Sequence, residues 1–169
     1  MFQLYRDGLE DLLKDPSPNN KKDDKIKPPS LKIKLAEHSP TGLVFVEGAA
    51  CLQATTPGEV MKIFAKGSSR RTTASTQMNA ESSRSHLICS LTLKLTSKRT
   101  GKESVGKLTL VDLAGSERND KSGAVGEALK EAQSINKSLS ALGDVIAALT
   151  TNSQHIPYRN HPLTMLMSD

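Results

Sequence analysis

The sequence predicts an α/β fold, with helices flanking a mixed β-sheet. Apolar and polar residues alternate over 87–95, the period of a half-buried strand, and the more apolar segment 107–113 predicts a second strand. From Gly126 the apolar residues recur at three- and four-residue steps, which predicts a long helix over 126–150. With 169 residues, 36% of them hydrophobic, the chain can enclose the core of one domain or part of one.

Cap and turn residues define the other elements. Thr56, Pro57 and Glu59 combine a hydroxyl cap, a proline at the first helical position and a capping-box carboxylate, so a helix is expected over 56–71. The remaining segments are assigned in chain order as a strand and turn (1–13), a loop and edge hairpin (14–55), a hydroxyl-rich loop (72–86), two core strands (87–113), a second loop (112–125), and a polar loop with the start of a last helix (151–169).

Composition narrows the classes of partner. The net charge of +5 favours an acidic partner surface, but aromatic residues are only 3% and tryptophan is absent, which argues against nucleic acid. Cys51 and Cys89 stand in no zinc or redox pattern. No apolar run is long enough to cross a bilayer and no leader pattern opens the chain, so a soluble protein without a membrane partner is expected.

Residues 108–117 predict a buried strand that ends in Asp112, Gly115 and Glu117. A D-x-x-G ending can place a carboxylate beside a phosphate-bound magnesium ion and a glycine N–H against a γ-phosphate. Taken alone, this spacing favours a strand that ends in an ordinary turn.

A second polar segment, residues 79–86, precedes the first long strand. The hydroxyls of Ser82 and Ser83 suit magnesium or phosphate oxygens, and Arg84 can pair with a carboxylate across a closing gap. Composition alone favours a solvated, serine-rich loop.

Together the two segments resemble the switch I (N-x-x-S-S-R-S-H) and switch II (D-L-A-G-S-E) motifs of kinesins, in the order of that family. The resemblance continues through residues 131–143 and 155–159, and the last residues are most similar to kinesin-14 motors, particularly the calmodulin-binding kinesin-like proteins. It implies the C-terminal half of a kinesin motor fold, part of a microtubule-stimulated ATPase that uses ATP or ADP with Mg²⁺.

The resemblance also implies roles for individual residues. Arg84 and Glu117 would form a switch bridge that orders the attacking water, so breaking the bridge should impair hydrolysis more than nucleotide binding. Mg²⁺ would be held mostly through its outer shell. The implied catalytic residues are Arg84, Glu117, Ser83 and Gly115, the implied nucleotide-binding residues are Asn79, Ser82, Ser83, Asp112 and Gly115, and the implied magnesium residues are Ser83 and Asp112.

The long helix and the loop after it would face the microtubule, and the resemblance implies a cytoplasmic, cytoskeletal location. Any dimerisation would use regions outside this chain. Its leucine stripe is interpreted as core, so only the opposite face can bind tubulin. Pro162 stands where kinesins usually carry a lysine. The implied contact residues are Lys121, Lys130, Lys137 and Arg159.

One family element is missing in working form. Residues 101–107 have the glycine and lysine spacing of a phosphate-binding (Walker A) loop, but Leu108 replaces the magnesium-binding hydroxyl and a strand follows where a helix is needed. We therefore expect the chain alone to bind ATP weakly or not at all and to be inactive as an ATPase. Because the family's preceding strands are also missing, we expect apolar strand edges to be exposed. A non-catalytic microtubule-binding module is the alternative function, and a small GTPase is rejected because Asn136 and Lys137 are not followed by the aspartate of N-K-x-D.

Overall fold

The structure is a computed structural model that describes residues 1–15, 31–35, 41–75, 81–116 and 126–169. The described strands form a four-stranded sheet in the order β2-β1-β5-β6, in which all neighbours are antiparallel, and a separate hairpin of β3 and β4. The strands are β1 (Phe2–Tyr5), β2 (Gly8–Asp11), β3 (Lys32–Lys34), β4 (Phe45–Glu47), β5 (Ser85–Thr96) and β6 (Glu103–Asp112).

Three α-helices are described: α1 (Pro57–Ser75), α2 (Glu127–Thr150) and α3 (Pro162–Leu166). Two short 3₁₀ turns, Glu81–Arg84 and Tyr158–Asn160, precede β5 and α3. Within the described ranges, no helix combines the length and apolar character needed to cross a membrane.

Helices cover both faces of the sheet, which confirms the predicted α/β layering. Because strand side chains alternate, Phe2, Leu4 and Ile88 point to one face, where they pack with Leu163 and Leu166 around α3. Their neighbours in sequence point to the other face and pack beside Ile63 of α1. That second cluster contains Met1, Leu12, Leu13 and Leu87.

The predicted capping box is present at the start of α1. The Thr56 hydroxyl accepts from the Glu59 amide at 3.3 Å, and the Glu59 carboxylate accepts from the amides of Thr56 at 3.3 Å and Thr55 at 2.6 Å. The helix expected over 56–71 continues to Ser75. Arg71, in the last part of this helix, lies beside the start of β5 and the end of β6.

Three local expectations need correction. Residues 1–13 contain a hairpin of β1 and β2 where one strand and a turn were expected, because the Tyr5↔Gly8 register lets a two-residue turn reverse the chain. The loop expected from residue 72 begins later, and Ser85 already belongs to β5. The last helix, expected to begin within residues 151–169, is short and ends at Leu166.

The leucine stripe of α2 is not the buried face that the sequence predicted. Leu129, Ile146 and Leu149 are 36%, 52% and 47% exposed, and the helix buries Ser138, Ala141 and Val145 instead. Small side chains at these positions allow α2 to lie close to α3 and the 3₁₀ turns, which are its neighbours in the described structure.

The two long strands also expose leucines. Leu93, Leu95, Leu108 and Leu110 share one face of the β5–β6 ladder, and each is about half exposed because α1 covers only the part of that face near Leu87. The expectation of a buried second strand is therefore wrong for the described chain. These leucines lie on a face of the ladder, so the expected exposure of apolar strand edges stays a prediction.

Candidate functional site

The two predicted switch loops meet at one end of the sheet. The β5–β6 register pairs Leu87 with Asp112, so the start of β5 lies beside the end of β6. There the Gly115 amide donates a hydrogen bond to the Ser83 carbonyl oxygen at 2.9 Å. The structure thus brings together two segments that are 32 positions apart in sequence, as the paired motifs predicted.

Asp112 is held by an arginine that the sequence analysis did not select. Its carboxylate lies 2.7 Å from Nη1 of Arg71, and Nη2 of the same guanidinium donates to the Ser85 carbonyl at 3.0 Å. The Arg71 side chain is 12% exposed, whereas that of Asp112 is 66% exposed. Arg71 therefore fixes the start of β5 and the end of β6 together, and the Asp112 carboxylate still reaches solvent.

Arg84 extends from the first loop to helix α2. Its Nη1 lies 2.6 Å from the carboxylate of Glu131, which also accepts from the Tyr5 hydroxyl and lies 3.6 Å from the Arg6 guanidinium. The Glu131 side chain is only 12% exposed. Glu131 is therefore an enclosed carboxylate that joins β1, the turn after it, the first loop and α2.

The electrostatics of this cluster favour the charged carboxylate. Burial, the largest influence, raises the pKa of Glu131, but the hydrogen bonds from Tyr5 and Arg84 and the charges of Arg84 and Arg6 outweigh it, so the pKa lies below its ordinary 4.5. Burial and the neighbouring carboxylate raise the pKa of Tyr5 above its ordinary 10.0. Glu131 is therefore ionised and Tyr5 protonated at neutral pH.

His86 connects the second loop to α2. Its Nδ1 accepts from the Ala114 amide at 3.0 Å, and its Nε2 lies 2.7 Å from the Ser138 hydroxyl. Burial, then the nearby charges of His161 and Arg71, lowers the pKa of His86 to about 4. The ring is therefore neutral at pH 7.

Helix α2 presents two different faces. Glu131 and Ser138, seven residues apart, point towards the switch loops. Lys130 and Lys137 lie on its exposed side, where the Lys137 ammonium is 3.5 Å from the Asp7 carboxylate. Arg159, in the turn before α3, is also exposed.

Several predicted site residues lie outside what the structure describes. Asn79, Glu117 and Lys121 fall in the segments without described placement, so the Arg84–Glu117 bridge stays a prediction. Ser82 belongs to the 3₁₀ turn that precedes β5, next to Ser83. Among the described residues, no group of three or more His, Cys, Asp or Glu side chains could hold a metal ion.

The look-alike phosphate loop is a hairpin. Residues 97–102 turn between β5 and β6, with Gly101 at φ 67°, and Gly106 and Lys107 lie within β6. The Lys107 ammonium is buried, pairs with the Asp169 carboxylate and donates to the Val44 carbonyl at 3.1 Å. This lysine therefore anchors the last residues of the chain to the sheet, and its placement agrees with rejecting a phosphate loop here.

Sequence reasoning missed Arg71, Glu131, His86 and Ser138 as site residues. His86 stood inside the quoted switch I motif, and Glu131 and Ser138 stood inside the quoted segment 131–143. The seven-residue spacing of Glu131 and Ser138 on a predicted helix was the available signal, because it places two polar groups on one face. Nothing in the sequence marked Arg71.

The known proteins that this chain is similar to are kinesins. The Kinesin family model, described as the kinesin motor domain, matches residues 1–169. Kinesin-like protein KIN-14E of Arabidopsis thaliana is 52% identical over 100% of this chain and 12% of its own length. Kinesin-like protein KIN-14I of Oryza sativa subsp. japonica is 52% identical over 100% of this chain and 13% of its own length.

Solved structures agree with the family assignment. The structure of a fast kinesin, described for its ATPase mechanism and interactions with microtubules, has a TM-score of 0.75 and 39% identity over 99% of this chain and 44% of its own. The motor domain of the Saccharomyces cerevisiae kinesin-related protein KAR3 has a TM-score of 0.73 and 36% identity over 99% of this chain and 47% of its own.

The sheet flanked by helices and the two meeting loops are therefore those of a motor domain. The chain belongs to the kinesin motor domain family. Its predicted similarity to the kinesin-14 group is confirmed by the two plant relatives, and it spans about an eighth of their length.

Proposed function

We propose that this chain is the part of an ATP-dependent microtubule motor that detects the terminal phosphate of the nucleotide and carries the microtubule-facing helix. The observation that carries the proposal is the Gly115–Ser83 hydrogen bond, which joins the two switch loops beside α2. Phosphoryl transfer depends mainly on positioning and charge stabilisation, so a site built from two loops that can change partners suits this chemistry.

The described residues suit the γ-phosphate side of such a site. Asp112 offers an exposed carboxylate for the outer shell of Mg²⁺, and Ser83 is exposed in the 3₁₀ turn that precedes β5. When bound, Mg²⁺ would neutralise charge on the phosphate oxygens. In the role proposed for Gly115, its N–H exchanges the Ser83 carbonyl for a phosphate oxygen. Asn79 and Ser82 complete the proposed nucleotide contacts.

Arg84 would act as a switch by exchanging carboxylate partners. In the described arrangement its partner is Glu131 of α2. The proposed catalytic arrangement pairs it with Glu117 of the second loop, where the bridge orders the attacking water. The exchange would connect the nucleotide state to α2, because pairing with Glu117 breaks the ion pair between Arg84 and the helix.

The outward side of α2 is the proposed microtubule contact. Lys130, Lys137 and Arg159, together with Lys121, would supply positive charge to the acidic tubulin surface, in line with the net charge of +5. A cytoplasmic, microtubule-associated location follows from this partner. Any dimerisation would use regions outside this chain.

A non-catalytic microtubule-binding module is the second candidate. It is favoured by the hairpin at residues 97–102, since the only G-x-x-x-x-G-K spacing in the sequence lies on a turn and strand that cannot cradle a β-phosphate. The coding sequence upstream of Met1 separates the two candidates. A G-x-x-x-x-G-K-[S/T] element there supports the motor, and its absence supports the module.

Microtubule co-sedimentation tests the binding half of the proposal. The chain should pellet with microtubules, less at high than at low salt, and equally with and without ATP. Release by ATP would contradict the account of the phosphate loop, and failure to pellet at low salt would contradict the microtubule contact.

Two matched substitutions locate the contact. Lys137 and Lys94 are 61% and 63% exposed, and each pairs with a surface carboxylate, at 3.5 Å and 2.9 Å respectively. Lys137→Glu should weaken pelleting roughly fivefold, whereas Lys94→Glu, on the β5–β6 hairpin, should change it by less than about twofold. Equal effects would show that α2 is not the contact.

A further inference from the structure

His86 lies in a buried chain of hydrogen bonds between the second switch loop and α2. The chain runs from the Ala114 amide to His86 Nδ1, from His86 Nε2 to the Ser138 hydroxyl, and from that hydroxyl to the Ile135 carbonyl at 2.6 Å. Ala114, His86 and Ser138 are all buried. Bulk water therefore cannot replace any of these partners without local opening.

The proton positions follow from the partners. Because the Ala114 amide is a donor, His86 Nδ1 must be the acceptor and carry no hydrogen. The single hydroxyl hydrogen of Ser138 is directed to the Ile135 carbonyl, so Ser138 Oγ accepts from His86 Nε2–H. Each group of the chain is satisfied by one tautomer of a neutral imidazole.

We propose that His86 is a positioning residue that couples helix α2 to the main chain of the second switch loop, so that a shift of α2 reaches the Ala114 and Gly115 amides. The inference rests on the proposed function, in which α2 meets the microtubule and Gly115 meets the phosphate. His86 touches neither partner in this arrangement. It acts by holding the amide next to Gly115.

Two features suit this chain of hydrogen bonds to passing a movement of α2 on to the two loops. The Gly115 amide, next along the chain, bonds to the Ser83 carbonyl at 2.9 Å, so a displaced Ala114 disturbs the contact between the two loops. On the same face of α2, Glu131 holds Arg84. One movement of the helix therefore acts on both loops, through Glu131 on the first and through Ser138 and His86 on the second.

Amide hydrogen exchange at Ala114 in the free chain tests the coupling. Ser138→Ala removes the acceptor of His86 Nε2–H without touching Ala114, and we expect exchange at Ala114 to rise roughly three- to tenfold. Ser140→Ala, on the exposed side of the same helix, is the matched control and should leave the rate unchanged.

A double-substitution cycle separates coupling from general loosening. In His86→Asn the shorter amide oxygen can still accept from Ala114, but no donor reaches Ser138. Adding Ser138→Ala to that background should then have no further effect on Ala114 exchange. The proposal is overturned if Ser138→Ala behaves like Ser140→Ala, or if the effects of the two substitutions simply add.

A measurement on the unsubstituted chain keeps the proposal testable even if a variant fails to fold. Nitrogen-15 NMR of the His86 ring at pH 7 should show a neutral imidazole protonated at Nε2. A ring that carries its hydrogen on Nδ1, or that is charged, would contradict the chain of hydrogen bonds and overturn the inference.

Microtubules then distinguish this inference from the proposed function. Their addition should change exchange over residues 113–116 by roughly threefold or more in the unsubstituted chain, and by less in Ser138→Ala, which should still pellet. If both chains pellet and respond equally, the coupling is wrong and the binding role stands. If the unsubstituted chain does not pellet, the binding role is wrong, and the free-chain cycle still decides the coupling.

Discussion

Neutralising Glu131 should destabilise the fold far more than neutralising an exposed carboxylate. In the unsubstituted chain the Arg84 guanidinium lies 2.6 Å from a Glu131 carboxylate oxygen. In Glu131→Gln the amide oxygen can still accept from the Tyr5 hydroxyl, but the amide nitrogen faces the Arg84 guanidinium. The substitution therefore removes one charge-assisted hydrogen bond at an enclosed position and the weaker attraction of Arg6 at 3.6 Å.

The expected cost is about 2 kcal/mol of unfolding free energy. A hydrogen bond to a charged group contributes about 1.5–3 kcal/mol, and the lower part of that range applies because the Arg84 side chain is 42% exposed and its charge is partly screened. The longer contact with Arg6 adds no more than about 0.5 kcal/mol. For a chain of this size, the total corresponds to a fall in Tm of about 4–8 °C.

Urea unfolding followed by circular dichroism measures the difference, with Glu103→Gln as the control. Glu103 pairs with Lys94 at 2.9 Å, but both side chains are more than half exposed, so its neutralisation should cost less than about 0.5 kcal/mol. Equal losses from the two substitutions would refute the reasoning, because they would show that enclosure of Glu131 adds nothing.

The pH dependence of the Glu131 effect has a defined sign. The pKa of Glu131 is depressed in the folded state, so its contribution is fully present above its ordinary value of 4.5 and is lost as pH falls through the lower folded value. The difference between the unsubstituted chain and Glu131→Gln should therefore be constant near neutral pH and shrink below about pH 4.5. A difference that grew on acidification would contradict this assignment.

Two further predictions concern stability. The pKa of His86 falls from 6.5 to about 4 on folding, so on acidification the unfolded chain binds the proton before the folded chain does. The unfolding free energy should therefore drop by about 3 kcal/mol between pH 6.5 and 4. Urea titrations at several pH values should show a shallower drop in His86→Asn. Leu163→Ala should cost about 2–5 kcal/mol because Leu163 is fully buried beside Ile88, whereas Leu95→Ala, at a largely exposed site, should cost under about 1 kcal/mol. Similar thermal shifts for the two leucine variants would contradict the described core.

Local signals were reliable where one short segment determines the outcome. The capping box at Thr56 and Glu59 and the long helix α2 depend on neighbours within a few positions, and the structure contains both of them. The meeting of the two switch loops was also predicted, although from the resemblance to a family and not from periodicity.

Contacts between distant segments were predicted poorly. Helical period identified α2 but selected the wrong buried face, because burial depends on which elements pack against the helix, and α3 and the 3₁₀ turns favour small residues at Ser138 and Ala141. Likewise, Arg71 had no signal in the sequence. Its role exists only because α1 continues far enough to place a guanidinium beside Asp112.

The sequence by itself determined the family, the α/β elements and the two loops that carry hydroxyl, carboxylate and glycine groups, since these depend on residue type and short spacing. Only the tertiary structure decided the partners: Glu131 for Arg84, Arg71 for Asp112, and His86 between Ala114 and Ser138. Such pairings join positions many residues apart. They are set by strand register and helix packing, which no local pattern encodes.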